Sequence, residues 1–349
     1  MRSHRRLMLA VALIGSLVGV GTYAVSAARI AAAPTKVDVR ATPITSFDNR
    51  DPSLTRFGAL EFRGGLALTA AFEPFGGVSG LHMEPDGSRF LAVTDRGSWL
   101  RGRIVYRDGR PDGIADTEMA PMLDADGKPL AAQGWYDAES LTERDGLFYV
   151  GIERVQKIVR FDYRRDGFQA RGQAVAVPAD FATLSSNKGL ECLAAAPKQS
   201  PLGGRLIVVT ERSLDAAGNL RAYALDGKTA GDVVDNRALR FSIKRSDEFE
   251  ASDCAMLPGG DLLLLERRYS PARGVGMRMR RVPLTAIKDG ATVDGAILID
   301  VDLAYQIDNM EGMAIHRNAA GETVITLVSD DNFSVIQRNL LLQFVLVGE

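Results

Sequence analysis

Short apolar runs joined by polar turns recur along the chain, and they predict β-hairpins. In the clearest example, an apolar run ends at an Asp-Gly turn at 145–146, and a second run, Leu147–Ile152, follows it. Two such runs joined by Asp-Gly are typical of a hairpin. A carboxylate, Glu139, begins this hairpin, and an acid–base pair, Glu153 and Arg154, ends it.

The same pattern occurs five times, at intervals of about 60 residues, which indicates a repeat architecture. Each copy has a candidate site residue near the start of its first strand and an acidic residue at the end of its second strand. The first-strand positions are Ser79, Glu139, Glu191, Asp253 and Glu311. The second-strand positions are Asp95, Glu153, Glu211, Glu266 and Asp330.

Each period leaves room for two more strands, so we predict an all-β fold: a β-propeller with five four-stranded blades. A sixth blade, built from the less regular segments, stays open at this point. The fifth copy is followed by only one strand, Leu341–Val347. We expect an N-terminal strand, Leu66–Ala71, to complete that blade and close the ring, which removes an exposed sheet edge.

In an antiparallel hairpin the start of the first strand lies beside the end of the second. If the first strands are innermost, the acidic residues converge on one mouth of the central channel. Oxygen-only ligands favour a hard cation, Ca²⁺ before Mg²⁺. The predicted metal ligands are Glu139, Glu191, Asp253, Glu311, Asp330 and Asp331.

A cation held by carboxylates can polarise a phosphoryl oxygen and activate a water molecule. Arginine side chains can bind the remaining phosphate oxygens through two-pronged hydrogen bonds. The predicted catalytic residues are Glu191, Glu311, Arg154 and Arg212, and the predicted ligand-binding residues are Arg96, Arg267 and Ser79. An architectural reading stays open, in which the acids and arginines neutralise each other at the blade corners.

The chain has 349 residues, a formal net charge of −2 and 25% charged residues, which is ordinary for one large globular unit. No segment of the sequence is strongly basic, so nucleic acid is not expected as a partner. The expected partner is a small-molecule ester or phosphoester, and we expect a monomer. We place the propeller domain at 57–349 and a polar, proline-containing linker at 34–56.

Residues 1–33 read as a targeting segment. A basic start precedes the apolar run Leu7–Val25, and small residues near its end offer cleavage sites. The apolar run is also about long enough to span a bilayer, so an uncleaved inner-membrane anchor stays open. In either case we expect the folded body to be periplasmic or secreted.

The two cysteines, Cys192 and Cys254, follow the predicted ring acids of successive repeats. The other repeats have glycine or serine in this position, so we favour two small buried residues over a disulfide. Outside the targeting segment the only histidines are His82 and His316, which fall inside predicted inner strands. We expect both to be packed, and we do not expect a serine nucleophile.

The motifs Gly77-Val78-Ser79-Gly80-Leu81, Thr94-Asp95-Arg96-Gly97 and Gly189-Leu190-Glu191 resemble those of the phytase-like family of exported proteins. The closing motifs Asn309-Met310-Glu311-Gly312-Met313 and Ser329-Asp330-Asp331-Asn332 fit as well. The resemblance extends from about Phe57 to Val347. It implies a propeller fold and a Ca²⁺-assisted ester or phosphoester hydrolase. Two alternatives stay open: a sugar-lactone hydrolase and a non-catalytic binding module of the cell envelope.

Overall fold

The computed structural model describes residues 33–185, 187–229, 238–270 and 273–348. Four N-terminal strands come first: β1 (Thr35–Lys36), β2 (Val39–Ile44), β3 (Arg56–Phe57) and β4 (Leu60–Ala70). Blade 1 contains β5 (Val78–Met83), β6 (Arg89–Thr94), β7 (Ser98–Arg107) and β8 (Arg110–Pro121). Blade 2 contains β9 (Ala138–Arg144), β10 (Leu147–Ile152), β11 (Lys157–Phe161) and β12 (Gln173–Ala174).

The remaining blades follow the same plan. Blade 3 contains β13 (Leu190–Ala195), β14 (Leu206–Leu214), β15 (Leu220–Leu225) and β16 (Leu239–Ile243). Next come β17 (Glu250–Met256), β18 (Leu262–Ser270), β19 (Gly274–Val282), β20 (Thr292–Val293) and β21 (Ala296–Asp302). All of these form blade 4 except β20, which pairs with β16 of blade 3. Blade 5 contains β22 (Met310–Arg317), β23 (Thr323–Ser329) and β24 (Asn339–Leu346).

Helices are short. There is one α-helix in the described residues, α1 (Tyr163–Asp166). The 3₁₀ segments are Leu130–Gln133, Glu153–Val155, Gly167–Gln169, Ala179–Thr183 and Leu284–Ala286. Among the described residues, no helix has the length and apolarity that a membrane span requires. Apart from Ala33, the predicted targeting segment lies outside the described residues.

The five-bladed propeller is confirmed, with one sheet for each blade, and each sheet is antiparallel apart from the parallel pair of β16 and β20. The ring is closed as predicted, because β4 from the N-terminal part pairs with β24 at the C-terminal end. Each first strand contacts the next one around the channel, and β22 contacts β5, so the inner strands form a complete ring. The described residues form five sheets, and no sixth blade is found among them.

The predicted linker at 34–56 is wrong, because strands of this segment join two blades. β1 pairs with β8 at the edge of blade 1, and β2 pairs with β4 at the edge of blade 5. Pro43, which had suggested a linker, lies within β2, an outermost strand where a missing N–H is tolerated. Phe47 is fully buried, and its ring lies 5.0 Å from that of Phe344 in blade 5.

The preference for unpaired cysteines is also wrong. Cys192 and Cys254 form a disulfide between the inner strands of blades 3 and 4, with their Cα atoms 5.1 Å apart. Crowding between neighbouring blades nevertheless explains the small residue at the equivalent position of blade 1. A Cβ atom on Gly80 would come within 2.7 Å of the backbone nitrogen of Leu141 in blade 2.

Replacing both cysteines with alanine is expected to lower the free energy of unfolding by about 2–4 kcal/mol, because the bridge closes a long loop. The two residues are 62 positions apart. Chemical denaturation measures the loss, and the same loss is expected when the wild-type bridge is reduced. An unchanged denaturation midpoint in both cases would contradict the prediction.

The two histidines are packed, as the sequence predicts. The ring of His82 lies edge-on to Phe148, with the centroids 5.0 Å apart. His316 is buried at the far end of β22, and burial lowers its pKa.

Candidate cation site at the mouth of the channel

The ring residues are placed at the mouth by a β-bulge in each blade. Where the first strand pairs with the second, the register skips a residue near the start of the first strand. A bulge leaves a residue unpaired and redirects its side chain. The bulge residues of blades 2 to 5 are Glu139, Glu191, Ser252 and Glu311, and in blade 1 the bulge covers Ser79 and Gly80.

Blade 4 is one residue out of step with the predicted alignment. Its bulge residue is Ser252, and Asp253 pairs normally with Leu265. Because side chains alternate along a strand, a shift of one residue turns each side chain to the other face. The two oxygens of Asp253 accept backbone N–H bonds from Cys254 and from Met313 of blade 5, each 2.7 Å long. Asp253 therefore fastens blade 4 to blade 5, and the structure separates it from the predicted metal ligands.

The same shift exchanges the roles of Glu266 and Arg267. Glu266 turns away from the mouth and forms a buried, two-pronged ion pair with Arg280. Arg267 takes the place that Asp95, Glu153, Glu211 and Asp330 occupy in the other blades, as judged from the strand registers.

Arg267 is a counter-ion of the acidic mouth. Its Nη1 lies 3.0 Å from Oε1 of Glu311 and donates to Oδ1 of Asn309 at 2.8 Å. Its Nη2 donates to Oε1 of Glu211 at 3.1 Å. The pKa of Arg267 is raised because burial is outweighed by the charges of Glu311, Glu191 and Glu211. The prediction that Arg267 grips an anionic ligand is not supported by this position.

The side of the mouth formed by blades 3 and 4 is rich in cations. Besides Arg267, Lys188 lies 2.7 Å from Oε1 of Glu211 and 3.9 Å from Oε2 of Glu250. Glu250 also forms an ion pair with Arg212, at 2.8 Å. The carboxylates on this side are thus largely neutralised by side chains of the protein itself.

The side formed by blades 1, 2 and 5 has less compensation. Glu311 of blade 5 is paired with Arg267, and the nearby charge of Arg154 acts on Asp137. Within the described residues, none of the five remaining carboxylates forms an ion pair, although Ser79 donates a 2.6 Å hydrogen bond to Asp95. Carboxylates this close repel one another when they are charged. The five residues are Asp95, Asp137, Glu139, Glu153 and Asp330.

The pKa values reflect this uncompensated charge. Burial, with repulsion from Glu311, raises the pKa of Asp95 to about 8. Burial, with repulsion from Glu211, raises the pKa of Glu153 to about 7. Burial followed by repulsion from Asp95 and Glu191 raises the pKa of Glu139 well above its ordinary value. Without a cation, part of this group is therefore protonated at neutral pH.

Two sets of three carboxylates are close enough to share a cation. The oxygens of Asp137, Glu139 and Glu153 lie within 4.8 Å of one another, as do those of Glu153, Glu191 and Glu211. Glu191 is only 3% exposed, and its Oε2 atom has no hydrogen-bond partner. A buried carboxylate oxygen without a partner is costly, and a bound cation, or a water molecule held by one, would satisfy it. The oxygen-only donors fit Ca²⁺.

The other predicted residues lie on the rim. Arg154 is exposed and lies over the ring of Tyr136, with its guanidinium carbon 5.4 Å from the ring centroid. Arg96 forms a 2.9 Å ion pair with Glu73 and stacks on Phe333. The structure therefore does not bring the four predicted arginines together around one anion.

Asp330 and Asp331 are not equivalent. Asp330 is 2% exposed and faces the carboxylates of the mouth, where burial and repulsion from Asp95 raise its pKa. Both oxygens of Asp331 accept hydrogen bonds from neighbouring loops, including one from the backbone N–H of Gly77 at 3.1 Å. Asp331 therefore has a structural role, in which its hydrogen bonds hold the surrounding loops in place.

The sequence prediction missed residues of the site, among them Asp137, Lys188 and Asn309. Asp137 adopts a left-handed conformation, with φ of 65°, and its backbone links Asp95 of blade 1 to Glu153 of blade 2. All three residues lie within two or three positions before a bulge residue. An alignment of the repeats that included these preceding positions would have found them.

The fold and this site define a five-bladed propeller with an acidic channel mouth, and the sequence assigns it to a family. The phytase-like family, described as "Esterase-like activity of phytase", matches residues 73–333. The match covers more than half of the chain, so the protein belongs to this family. No curated protein matches the sequence.

Several solved structures are distantly similar. The PQQ-bound aldose sugar dehydrogenase of Streptomyces coelicolor is 13% identical and has a TM-score of 0.43, with coverage of 89% of this chain and 100% of that one. An α-L-arabinofuranosidase of Podospora anserina, solved with cellotriose, is 10% identical with a TM-score of 0.43, and the coverage is 77% and 91%. These similarities carry no inference about activity.

Proposed function

We propose that the protein is an exported, Ca²⁺-dependent hydrolase of small carboxylic esters. The observation that carries the proposal is the buried, unpartnered Oε2 atom of Glu191 beside a group of uncompensated carboxylates. The family description adds an esterase-like activity. Export is supported by the apolar N-terminal run and by the disulfide, since disulfides persist in oxidising compartments.

Asp137, Glu139 and Glu153 would hold the cation, because they are mutually close and lack ion pairs among the described residues. Bound Ca²⁺ would supply a positive charge that polarises an ester carbonyl. Glu191 would accept the proton of the attacking water, since its Oε2 atom has no competing donor. Glu311 would act as a positioning residue, because its Oε1 atom is itself fixed. Arg267 forms an ion pair with this atom, and Asn309 donates a 2.7 Å hydrogen bond to it.

The charge of the mouth favours a carboxylic ester over a phosphoester. Arg267 and Lys188, the cations placed among the mouth carboxylates, are already engaged by Glu311 and Glu211. A substrate with several phosphates would meet repulsion from the remaining carboxylates. A neutral ester avoids this repulsion, and a sugar lactone, as a cyclic ester, belongs to the same class.

Metal-stripped protein is expected to hydrolyse p-nitrophenyl acetate only after Ca²⁺ is added, and to leave p-nitrophenyl phosphate intact. Glu191→Gln should reduce kcat at least 100-fold, because proton transfer by a positioned base contributes about 10²–10⁴-fold. Asp126→Asn, an exposed acid on the connection between blades 1 and 2, is the matched control and should keep the wild-type rate.

In the same assay, Arg154→Ala and Arg212→Ala are expected to change ester hydrolysis by no more than about twofold, since both side chains lie on the rim. If either variant abolished a phosphoester activity, the phosphoester reading would be correct instead. If no ester were cleaved with any cation, the non-catalytic binding module would remain.

A further inference from the structure

We propose that the mouth face of the propeller rests on a lipid bilayer, with Val335 and Ile336 as the side chains that enter it. These residues lie in the loop between β23 and β24 of blade 5, at the same end as the acidic mouth. Val335 is 103% exposed and Ile336 is 85% exposed. Two adjacent branched aliphatic side chains in full contact with water form an apolar tip that a membrane interface would cover.

Hydrogen bonds fix the loop that carries this tip, so the fold itself keeps Val335 and Ile336 exposed. Oδ1 of Asp331 accepts the backbone N–H groups of Gly77 and Phe333, both at 3.1 Å. Its Oδ2 accepts Nδ2 of Asn339 at 2.7 Å. Asn332 and Phe333 have φ values of 46° and 50°, a conformation that persists only where the surroundings impose it.

The neighbouring hairpin of blade 4 extends the same surface. Tyr269, near the end of β18, is 79% exposed at the mouth side. Arg273, after the tip of that hairpin, is exposed. The side chain of Arg338 beside the blade 5 loop is 44% exposed and forms a 3.5 Å ion pair with Asp308. Aromatic side chains suit the headgroup level of a bilayer, and arginines suit lipid phosphates.

The path of the chain points to the same face. In β1, Thr35 pairs with Met119, near the end of β8 where Pro121 pairs with Ser98 at the mouth. β1 runs away from the mouth, so the chain enters this strand, at Ala33 and Pro34, from the mouth side. The apolar run Leu7–Val25 lies only a short distance upstream in sequence. If this run is held in a bilayer, the entry of the chain into β1 at the mouth favours the face where Val335 and Ile336 project.

The test places a fluorophore on each face of blade 5 in the full chain. Val335→Cys and Ala319→Cys are each labelled with an environment-sensitive dye; Ala319 is exposed in the hairpin turn at the opposite face. The native cysteines are joined in a disulfide, so each variant offers one reactive thiol. The labelled proteins are reconstituted in vesicles of phosphatidylcholine and phosphatidylglycerol, with and without lipids brominated in the acyl chain.

The proposal predicts a blue shift and strong quenching at position 335, with neither at position 319. Equal responses at the two positions, or none at 335, would overturn it. A second variant isolates the tip: a dye on Tyr269→Cys should lose at least half of its quenching when Val335 and Ile336 are both changed to aspartate. Unchanged quenching in that variant would overturn the assignment of these two residues.

Discussion

Replacing Arg267 with methionine is expected to destabilise the folded protein by about 3–5 kcal/mol, the usual cost of removing one partner of a buried charge network. The change leaves the carboxylates of Glu211 and Glu311, which are 1% and 5% exposed, without their shared guanidinium. Methionine retains much of the volume, so the loss measures charge compensation more than packing. Denaturant unfolding monitored by circular dichroism gives the free energy of unfolding.

The matched control for this variant is Arg273→Met, an exposed arginine after the tip of the same hairpin. Its expected effect is within about 0.5 kcal/mol, as for most surface substitutions. Equal unfolding free energies for Arg267→Met and wild type would show that Arg267 does not neutralise the mouth.

Removing the cation is expected to make stability strongly dependent on pH. Asp95 and Glu153 have ordinary pKa values of 3.8 and 4.5, and these rise to about 8 and about 7 in the folded protein. Raised folded-state pKa values favour the folded state at low pH, and this contribution is lost as the pH rises through 7 and 8. The metal-free protein should therefore lose thermal stability between pH 5 and pH 8.

Ca²⁺ should reverse this loss, because it competes with protons for the same oxygens. At a free concentration of 100 times Kd, bound cation adds about 2.7 kcal/mol of stability. The difference in Tm between Ca²⁺-loaded and chelator-treated protein is expected to grow steadily from pH 5 to pH 8. A difference that stays constant over this range would contradict the involvement of these carboxylates.

The blade architecture follows from local patterns, which is why the sequence predicts it well. Apolar runs around Asp-Gly turns define the hairpins, and their period sets the number of blades. The N-terminal strands are harder to see, because β1 and β2 are edge strands with short, half-exposed patterns. Their partners are far away in the sequence, so only the folded ring reveals the pairing.

The site was predicted less well, because its geometry depends on bulges. Aligning Asp253 with Glu191 by residue type is reasonable, yet the bulge of blade 4 falls on Ser252. Nothing in residue composition fixes the position of a bulge to a single residue. The shift of one position moves Asp253 into a structural role and brings Arg267 into the mouth. The disulfide is also not evident from residue type, because a preference for small residues at this position accounts for both cysteines without a bond between them.

Calorimetric titration of the metal-stripped protein with Ca²⁺ at pH 7.5 measures whether the mouth carboxylates bind a cation. We expect saturable binding with release of protons. Binding should be abolished in a variant that carries Glu139→Gln and Glu191→Gln, and retained in a folded Asp253→Asn variant. Absence of binding by the wild-type protein would contradict a cation site at the mouth, and the carboxylates would then act only to fasten the blades.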